Sequence, residues 1–403
     1  MQYHTIHYWL WLQQALGVGA SLKKIIEHFG SAGALYNSSI IDWKVSSCLT
    51  EKQIEKLSST DIDSTQSVIE LCEQNGWEII TYEDIRYPEC LREIKNPPAV
   101  LFTCGYLPPF DRTLSIGVVG TRNASPYGIM TAKLLSKGMA ECGAVIVSGG
   151  ALGIDSAAHK GALAAGGTTC VVLGAPLDSQ YLKTNAALRE KIVQNGGALI
   201  TELPPGAPLS KTNFPVRNRI ISGLSDGVLV IEAGVKSGSA ITARMAIEQG
   251  RDVFAVPSSL LDFNFCSTNE LIENGAYVAT SPYAVLRHYA DKYSDIDLKK
   301  VKSVRRLLNE EQGKPSANAP QPKQYTFEGI QQQRAEQRER TGAYLQLSET
   351  ETAVYDAICD GATAVYELSE KVNLSEPHLL SALTMLEIKG LITKISGNRY
   401  RAK

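Results

Sequence analysis

The spacing of apolar positions changes character along this chain, and each change marks a boundary. Over residues 1–70 apolar side chains recur at helical intervals, as at Trp9, Leu12 and Leu16. Gly17-Val18-Gly19-Ala20-Ser21 then interrupts them before a second apolar helix that ends at Phe29-Gly30. From Leu114 onward, strand-like runs at 114–120, 144–149, 168–174, 198–203, 227–233 and 253–257 alternate with helix-like segments. That alternation predicts an α/β core over residues 71–290, with a parallel sheet covered by helices on both faces. Ligands of such sheets bind beyond the carboxyl ends of the strands.

Residues 291–344 break both periods. Pro, Ala, Asn and Gln dominate 313–324 and charge dominates 331–340, the composition of a solvated linker. On this reading a chain ending near Ala290 keeps an intact core and its ligand affinity. A compact module then spans 345–403. Ser348-Glu349-Thr350-Glu351 has the form of a capping box ahead of Val354 and Ile358, further helices follow, and 390–400 reads as a hairpin. Helices followed by a two-stranded wing resemble a winged helix. Its eight acidic against six basic residues favour a protein contact over a DNA contact.

Composition adds bounds rather than a function. A chain of 403 residues fits two or three domains, and 40 basic against 42 acidic residues means that any cationic surface is local. The eight cysteines are scattered, without a C-x-x-C pair or a histidine at zinc spacing, which points to reduced thiols, a cytoplasmic setting and no metal site. No apolar stretch reaches membrane-spanning length.

The candidate chemistry is concentrated in four segments. Phe214-Pro215-Val216-Arg217-Asn218-Arg219-Ile220-Ile221 carries two guanidinium groups, whose forked donors suit phosphate oxygens. Arginines two apart cannot share a helical face in full, although a bend or helix start at Pro215 allows both to reach one anion. Gly120-Thr121-Arg122 closes the first core strand, where a glycine admits a ligand to the backbone. Ser148-Gly149-Gly150-Ala151-Leu152-Gly153-Ile154-Asp155 closes the second, with Asp155 read as a helix cap and His159 as a packing residue, because no nucleophile or metal partner lies near the pair. Lys236-Ser237-Gly238-Ser239 opens a helix with small residues, the makings of an anion nest. Together with Lys211, these segments line one rim of the sheet with positive charge and N–H groups, a better fit to a row of phosphates than to one. Neither Gly-x-Gly-x-x-Gly nor Gly-x-x-x-x-Gly-Lys-Ser/Thr occurs, so no dinucleotide cofactor and no P-loop are expected. The Gly17–Gly19 segment resembles a helix-hairpin-helix turn able to offer N–H groups to a phosphate. A plain tight turn is favoured, since the nearest lysines are Lys23 and Lys24.

Taken in order, Gly-Thr-Arg at 120–122, Ser-Gly-Gly-Ala-Leu-Gly-Ile-Asp-Ser-Ala-Ala-His at 148–159, Asn-Phe-Pro-Val-Arg-Asn-Arg-Ile-Ile at 213–221, Glu-Ala at 232–233 with Ser-Gly-Ser and Thr242, and Gly-Arg-Asp-Val-Phe-Ala-Val-Pro at 250–257 resemble the DprA/Smf family. Tyr87-Pro88 with Leu91, and Pro97-Pro98-Ala99-Val100-Leu101-Phe102, extend the resemblance over nearly the whole chain. It implies an N-terminal helical domain of helix-hairpin-helix or SAM-like type, an extended Rossmann-like core that binds single-stranded DNA and forms a homodimer, and a C-terminal winged helix. It also implies loading of a RecA-type recombinase during natural transformation, with a single-strand-binding protein as a further partner. The chain departs from the family pattern at Ser258, where glycine is usual, and at Ser267-Thr268-Asn269-Glu270-Leu271-Ile272.

Two functional classes remain open on these residues. One is a non-catalytic single-strand binder, with Gly120, Thr121, Arg122, Gly149, Gly150, Lys211, Arg217, Asn218, Arg219, Lys236, Ser237, Gly238 and Ser239 on the backbone and Phe214 against a base. The alternative is a Rossmann-type nucleotide enzyme related to the nucleoside-monophosphate phosphoribohydrolases, which use Gly-Gly-x-Gly-Thr-x-x-Glu. Aligning Gly238-Ser239 with that Gly-Thr puts Thr242 where the acid belongs, and threonine cannot serve as a carboxylate.

Overall fold

The computed structural model describes residues 3–180, 183–234, 237–262 and 265–312, and then 347–359, 364–372, 374–389, 391–395 and 399–402. Lys236 and the polar stretches 313–324 and 331–340 lie outside the described residues. The chain divides into two compact units, 1–319 and 320–403.

Six helices open the first unit: α1 (Thr5–Leu16), α2 (Lys23–Phe29), α3 (Ala32–Asn37), α4 (Ile40–Val45), α5 (Glu51–Ser59) and α6 (Ser64–Asn75). Local chemistry fixes their starts, with reciprocal capping boxes between Ser39 and Asp42 and between Thr50 and Gln53. Trp9, Trp11, Leu12, Leu35 and Leu57 fill their interior, which also takes in Val100 and Phe102 of the sheet. Bundle and sheet therefore share a core and belong to one unit, with no break near residue 70.

The sheet has nine strands: β1 (Glu78–Thr81), β2 (Val100–Gly105), β3 (Ser115–Val119), β4 (Val145–Ser148), β5 (Thr169–Leu173), β6 (Ala198–Thr201), β7 (Gly227–Val230), β8 (Asp252–Ala255) and β9 (Tyr277–Val278), in the order β1-β2-β6-β5-β4-β3-β7-β8-β9. Strands β3 to β8 are the six runs expected from the sequence, and all pair in parallel. Buried on both faces, they read as continuous apolar runs. The antiparallel β1–β2 edge was not anticipated, since β2 is a single apolar run behind Pro97-Pro98 with no helix after it.

The short helix α7 (Glu89–Arg92) precedes β2, and α10 (Ala186–Gln194) precedes β6. On one face, α8 (Pro126–Ala140) and α9 (Ile154–Ala164) pack Ala132, Leu135, Met139 and Ala158 on Ile116, Val118 and Ile146. On the other, α11 (Asn213–Gly223) and α12 (Gly238–Glu248) pack Ile220, Ile221 and Ala243 on Val119, Val147 and Val228. The chain moves from β3 through β4 and β5 to β6, then returns to the far side of β3 for β7. The order reverses between β3 and β7, and the crevice above that point is where doubly wound sheets bind ligands.

Residues 291–312 do not behave as a tether. Tyr293 and Ile296 are buried in the core, Tyr293 Oη donates to Asp226 at 2.6 Å, and Leu307, on the helix Val304–Glu311, is buried against α8. Lys133 pairs with Glu311 and Lys137 with Glu310 at 3.0 Å, fastening the same helix, and Lys302, just ahead of it, pairs with Glu141 at 3.1 Å. Charge-rich composition concealed a single apolar stripe facing the core.

In the second unit, helices Glu349–Cys359, Val365–Val372 and Glu376–Ile388 precede an antiparallel pair, Ile392–Ile395 with Arg399–Ala402. Val354, Leu368, Leu379, Leu383 and Leu386 form its core, the winged-helix arrangement expected. The capping box is present: Glu351 N donates to Ser348 Oγ and Ser348 N to the Glu351 carboxylate. Among the described residues no helix is long and apolar enough to cross a membrane, and no cluster of three potential metal ligands occurs.

Ending the chain at Ala290 strips Ile296 and Leu307 from the core. At about 1.5–3 kcal/mol for each buried side chain, that truncation is expected to lose roughly 3–6 kcal/mol of stability in urea denaturation. A chain ending at Ala319, the end of the first unit, is expected to keep that unit's stability.

Candidate nucleic-acid interface

The residues around the β3–β7 crevice are held by buried carboxylates. Glu232, just past β7, is buried. Its carbonyl accepts Thr121 N at 2.8 Å, and its carboxylate accepts Ser125 N at 2.9 Å and Ser125 Oγ at 2.5 Å. A β-carbon at Gly128 would overlap that carboxylate, so the first turn of α8 requires glycine there. Ser125 Oγ in turn accepts Gly128 N at 3.0 Å and caps α8. The loop 120–125 is thereby pinned at both ends with Arg122 exposed between them. The Arg122 guanidinium lies 5.4 Å from the centroid of the Phe214 ring, a cation–π contact.

Helix α11 starts at Asn213 and carries Pro215 in its first turn, where a missing N–H costs nothing. Arg217 and Arg219, about 200° apart around the helix, diverge. Arg217 is 7% exposed beneath the groove and donates through Nη1 to the Val172 carbonyl at the end of β5. Arg219 turns away from the groove, and its Nη2 donates to Glu202 Oε1 at 2.7 Å. Glu202 Oε1 also accepts Gly19 N at 3.0 Å, and the Glu202 carbonyl accepts Gln13 Nε2. The Gly17–Gly19 turn thus gives an N–H to a carboxylate of its own chain.

Ser237 caps α12, accepting Ala240 N at 3.2 Å, and its hydroxyl lies 2.9 Å from that of Ser239. Asn218 Nδ2 donates to Gly238 O at 3.1 Å and ties α11 to the start of α12. These elements enclose a groove of about 850 Å³. Gly120, Thr121, Arg122, Lys211, Phe214, Arg217, Asn218, Ser237, Gly238 and Ser239 all line it, so residues far apart in sequence meet at one place. Gly149, Gly150 and Arg219 do not form its wall. Gly149 instead makes room below, since a β-carbon there would collide with the Arg217 guanidinium and lie 2.7 Å from Asp155 Oδ2.

Sequence reasoning missed Asp155, Leu209, Ile241 and Thr242 as lining residues. Asp155 is not the helix cap: Gly153 occupies that position, and Asp155 Oδ2 accepts Ala151 N at 3.3 Å from the first turn. Burial raises its carboxyl pKa, while the Arg217 guanidinium and the Ala151 N–H act the other way. Leu209 and Ile241 gave no signal, because an apolar residue in a loop or at a helix start resembles any other. His159 is a packing residue. Thr169 donates its hydroxyl to Ile146 O at 2.7 Å, so His159 Nδ1, 2.7 Å from the same oxygen, carries the proton and donates. Burial pushes the imidazole pKa down to about 3, and the ring is neutral at pH 7. Thr242 donates to Gly238 O at 3.1 Å within its own helix.

Fold and groove together define a doubly wound α/β protein with a glycine-lined, cationic crevice at its topological switch point. Residues 78–290 match the family described as DNA recombination-mediator protein A, and residues 338–398 match the DprA winged helix domain. The chain belongs to the DprA/Smf family. It is 39% identical over 240 residues to Protein Smf of Escherichia coli strain K12, covering 60% of this chain and 64% of that protein. It is 42% identical over 203 residues to DNA processing protein DprA of Bacillus subtilis strain 168, covering 50% of this chain and 68% of that one. The X-ray structure of DprA from Streptococcus pneumoniae superposes with a TM-score of 0.62 at 34% identity, over 71% of this chain and 98% of that chain.

Burial separates the two groove arginines. Arg217→Ala leaves Asp155 buried beside a lost cation and is expected to cost about 3–5 kcal/mol in urea denaturation, the range for breaking a buried charge contact. Arg122→Ala, on an exposed loop crest, is expected to stay within about 0.5 kcal/mol of the parent.

Proposed function

We propose that this protein binds single-stranded DNA along the β3–β7 groove and hands it to a RecA-type recombinase without hydrolysing ATP itself. The observation that carries this reading is Arg122 stacked over Phe214 at the mouth of a groove that also presents Lys211 and the N-terminus of α12. A cation beside a half-buried aromatic ring pairs a phosphate contact with a stacking platform that any base can use. Small residues at the helix start add N–H groups for phosphate oxygens. Asp155 is the groove's one carboxylate among the described lining residues, and a glycosidic cleavage needs more acid–base equipment than that. Membership of a family described as recombination mediators supports the hand-over to a recombinase. A homodimer built through the core would let one strand bridge two grooves and raise apparent affinity through effective concentration.

Fluorescence anisotropy with oligothymidylate, duplex and mononucleotide tests the binding. Single strands are expected to bind best, and Arg122→Ala and Lys211→Ala each to reduce the salt slope by roughly 0.7. Phe214→Ala is expected to weaken binding by about 1–3 kcal/mol with little dependence on sequence. Unchanged slopes in both charge variants would remove the groove from the interface. For the hand-over, the protein is expected to shorten the lag before recombinase ATPase activity on DNA coated with a single-strand-binding protein. An unaltered lag with the matched recombinase, or ATP consumption without it, defeats the mediator reading.

A further inference from the structure

The groove contains one charge of the wrong sign for its ligand. Arg122, Lys211 and Arg217 supply cations, and Asp155 supplies a carboxylate that is 8% exposed on the same lining. Its place is fixed. Asp155 Oδ2 accepts Ala151 N at 3.3 Å, and carboxylate and guanidinium both close on Gly149, where only a hydrogen fits between them. Arg217 has the Val172 carbonyl as a separate partner, so the carboxylate is not its sole anchor. A buried negative charge weakens any anion above it, and weakens it more as the anion carries more charge.

Resting on the single-strand reading and deepening it, we infer that Asp155 tilts the groove toward phosphodiesters and away from phosphomonoesters. An internal DNA phosphate carries one negative charge, whereas a terminal monoester carries about 1.5 to 2 at pH 7. Arg122 and Lys211 leave the groove cationic on balance, so Asp155 does not exclude an anion outright; it takes back part of the advantage that the second charge of a monoester would otherwise gain. Specificity here comes from a repulsive element placed against the competitor. Free mononucleotides and 5′-phosphorylated ends are the competitors that a protein holding the interior of a strand must exclude.

The test displaces labelled oligothymidylate from the full chain with thymidine 5′-monophosphate and with its methyl phosphodiester, which differ in charge and one methyl group. The readout is the ratio of the two displacement midpoints. Asp155→Asn keeps the shape and an acceptor for Ala151 N, and is expected to shift the ratio of the two midpoints toward the monophosphate by about tenfold, the scale of one unit charge nearby. A purely structural role for Asp155 would weaken both ligands alike and leave the ratio unmoved. The same ratio in both proteins, or an Asp155→Asn protein displaced by neither nucleotide, overturns the inference. Should that variant fail to fold, Asp155→Ser, which also removes the charge and keeps an acceptor oxygen, is read in the same way, and an unmoved ratio overturns the inference. A wild-type chain that binds no oligothymidylate removes the single-strand reading separately. The two nucleotides are then compared by direct calorimetric titration, where the same shift is required.

Discussion

A guanidinium that is 7% exposed loses most of its hydration, and only close, well-placed acceptors offset that cost. Arg217 finds them in the Val172 carbonyl at the end of β5 and in the field of Asp155 from α9. Both require α11 to lie low over the sheet, which in turn requires a glycine at 149, because any side chain there would occupy the space of the charge. Once α11 lies there, Phe214 on its first turn meets Arg122 from the β3 loop, and Asn218 reaches the start of α12. The groove is therefore a by-product of burying one charge correctly. Its walls come from segments that follow four different strands, β3, β4, β6 and β7, yet their spacing is set beneath the surface.

Two further carboxylates do for the backbone what Asp155 does for Arg217. Glu232 takes the Ser125 N–H and hydroxyl and holds the Arg122 loop against the end of β7. Glu202 takes the Gly19 N–H and the Arg219 guanidinium, tying the N-terminal helices to α11. A carboxylate fills the place that a phosphate would take at the Gly-Val-Gly turn, and so a motif with a DNA-binding look serves as an internal fastening. The two arginines of one motif consequently divide their work. Arg217 supports the groove, and Arg219 joins it to the helical bundle.

The core strands β3 to β8 were legible in the sequence because each is buried on both faces and has to be apolar along its length. Glycine-closed strand ends and the Ser237 cap were legible for a similar reason: tight turns and helix starts draw on few residue types. Those local requirements determined the α/β class, the winged-helix module and most of the groove residues. They did not reach the burial of Tyr293, Ile296 and Leu307. Tyr293, Ile296 and Leu307 are isolated apolar positions in a charged segment, and their burial depends on which surface the helix Val304–Glu311 meets. Nor could spacing say that Arg217 is buried and Arg219 diverted, since partners from residues 172 and 202 decide it. Asp155 shows the limit most clearly. In sequence it follows a glycine turn and reads as a cap, whereas in the fold it is the groove's single negative charge among the described lining residues. Local chemistry determines what a segment becomes. Which charges face one another across a groove is decided only when the sheet brings distant strand ends together, because an electrostatic contact depends on distance in space and not along the chain.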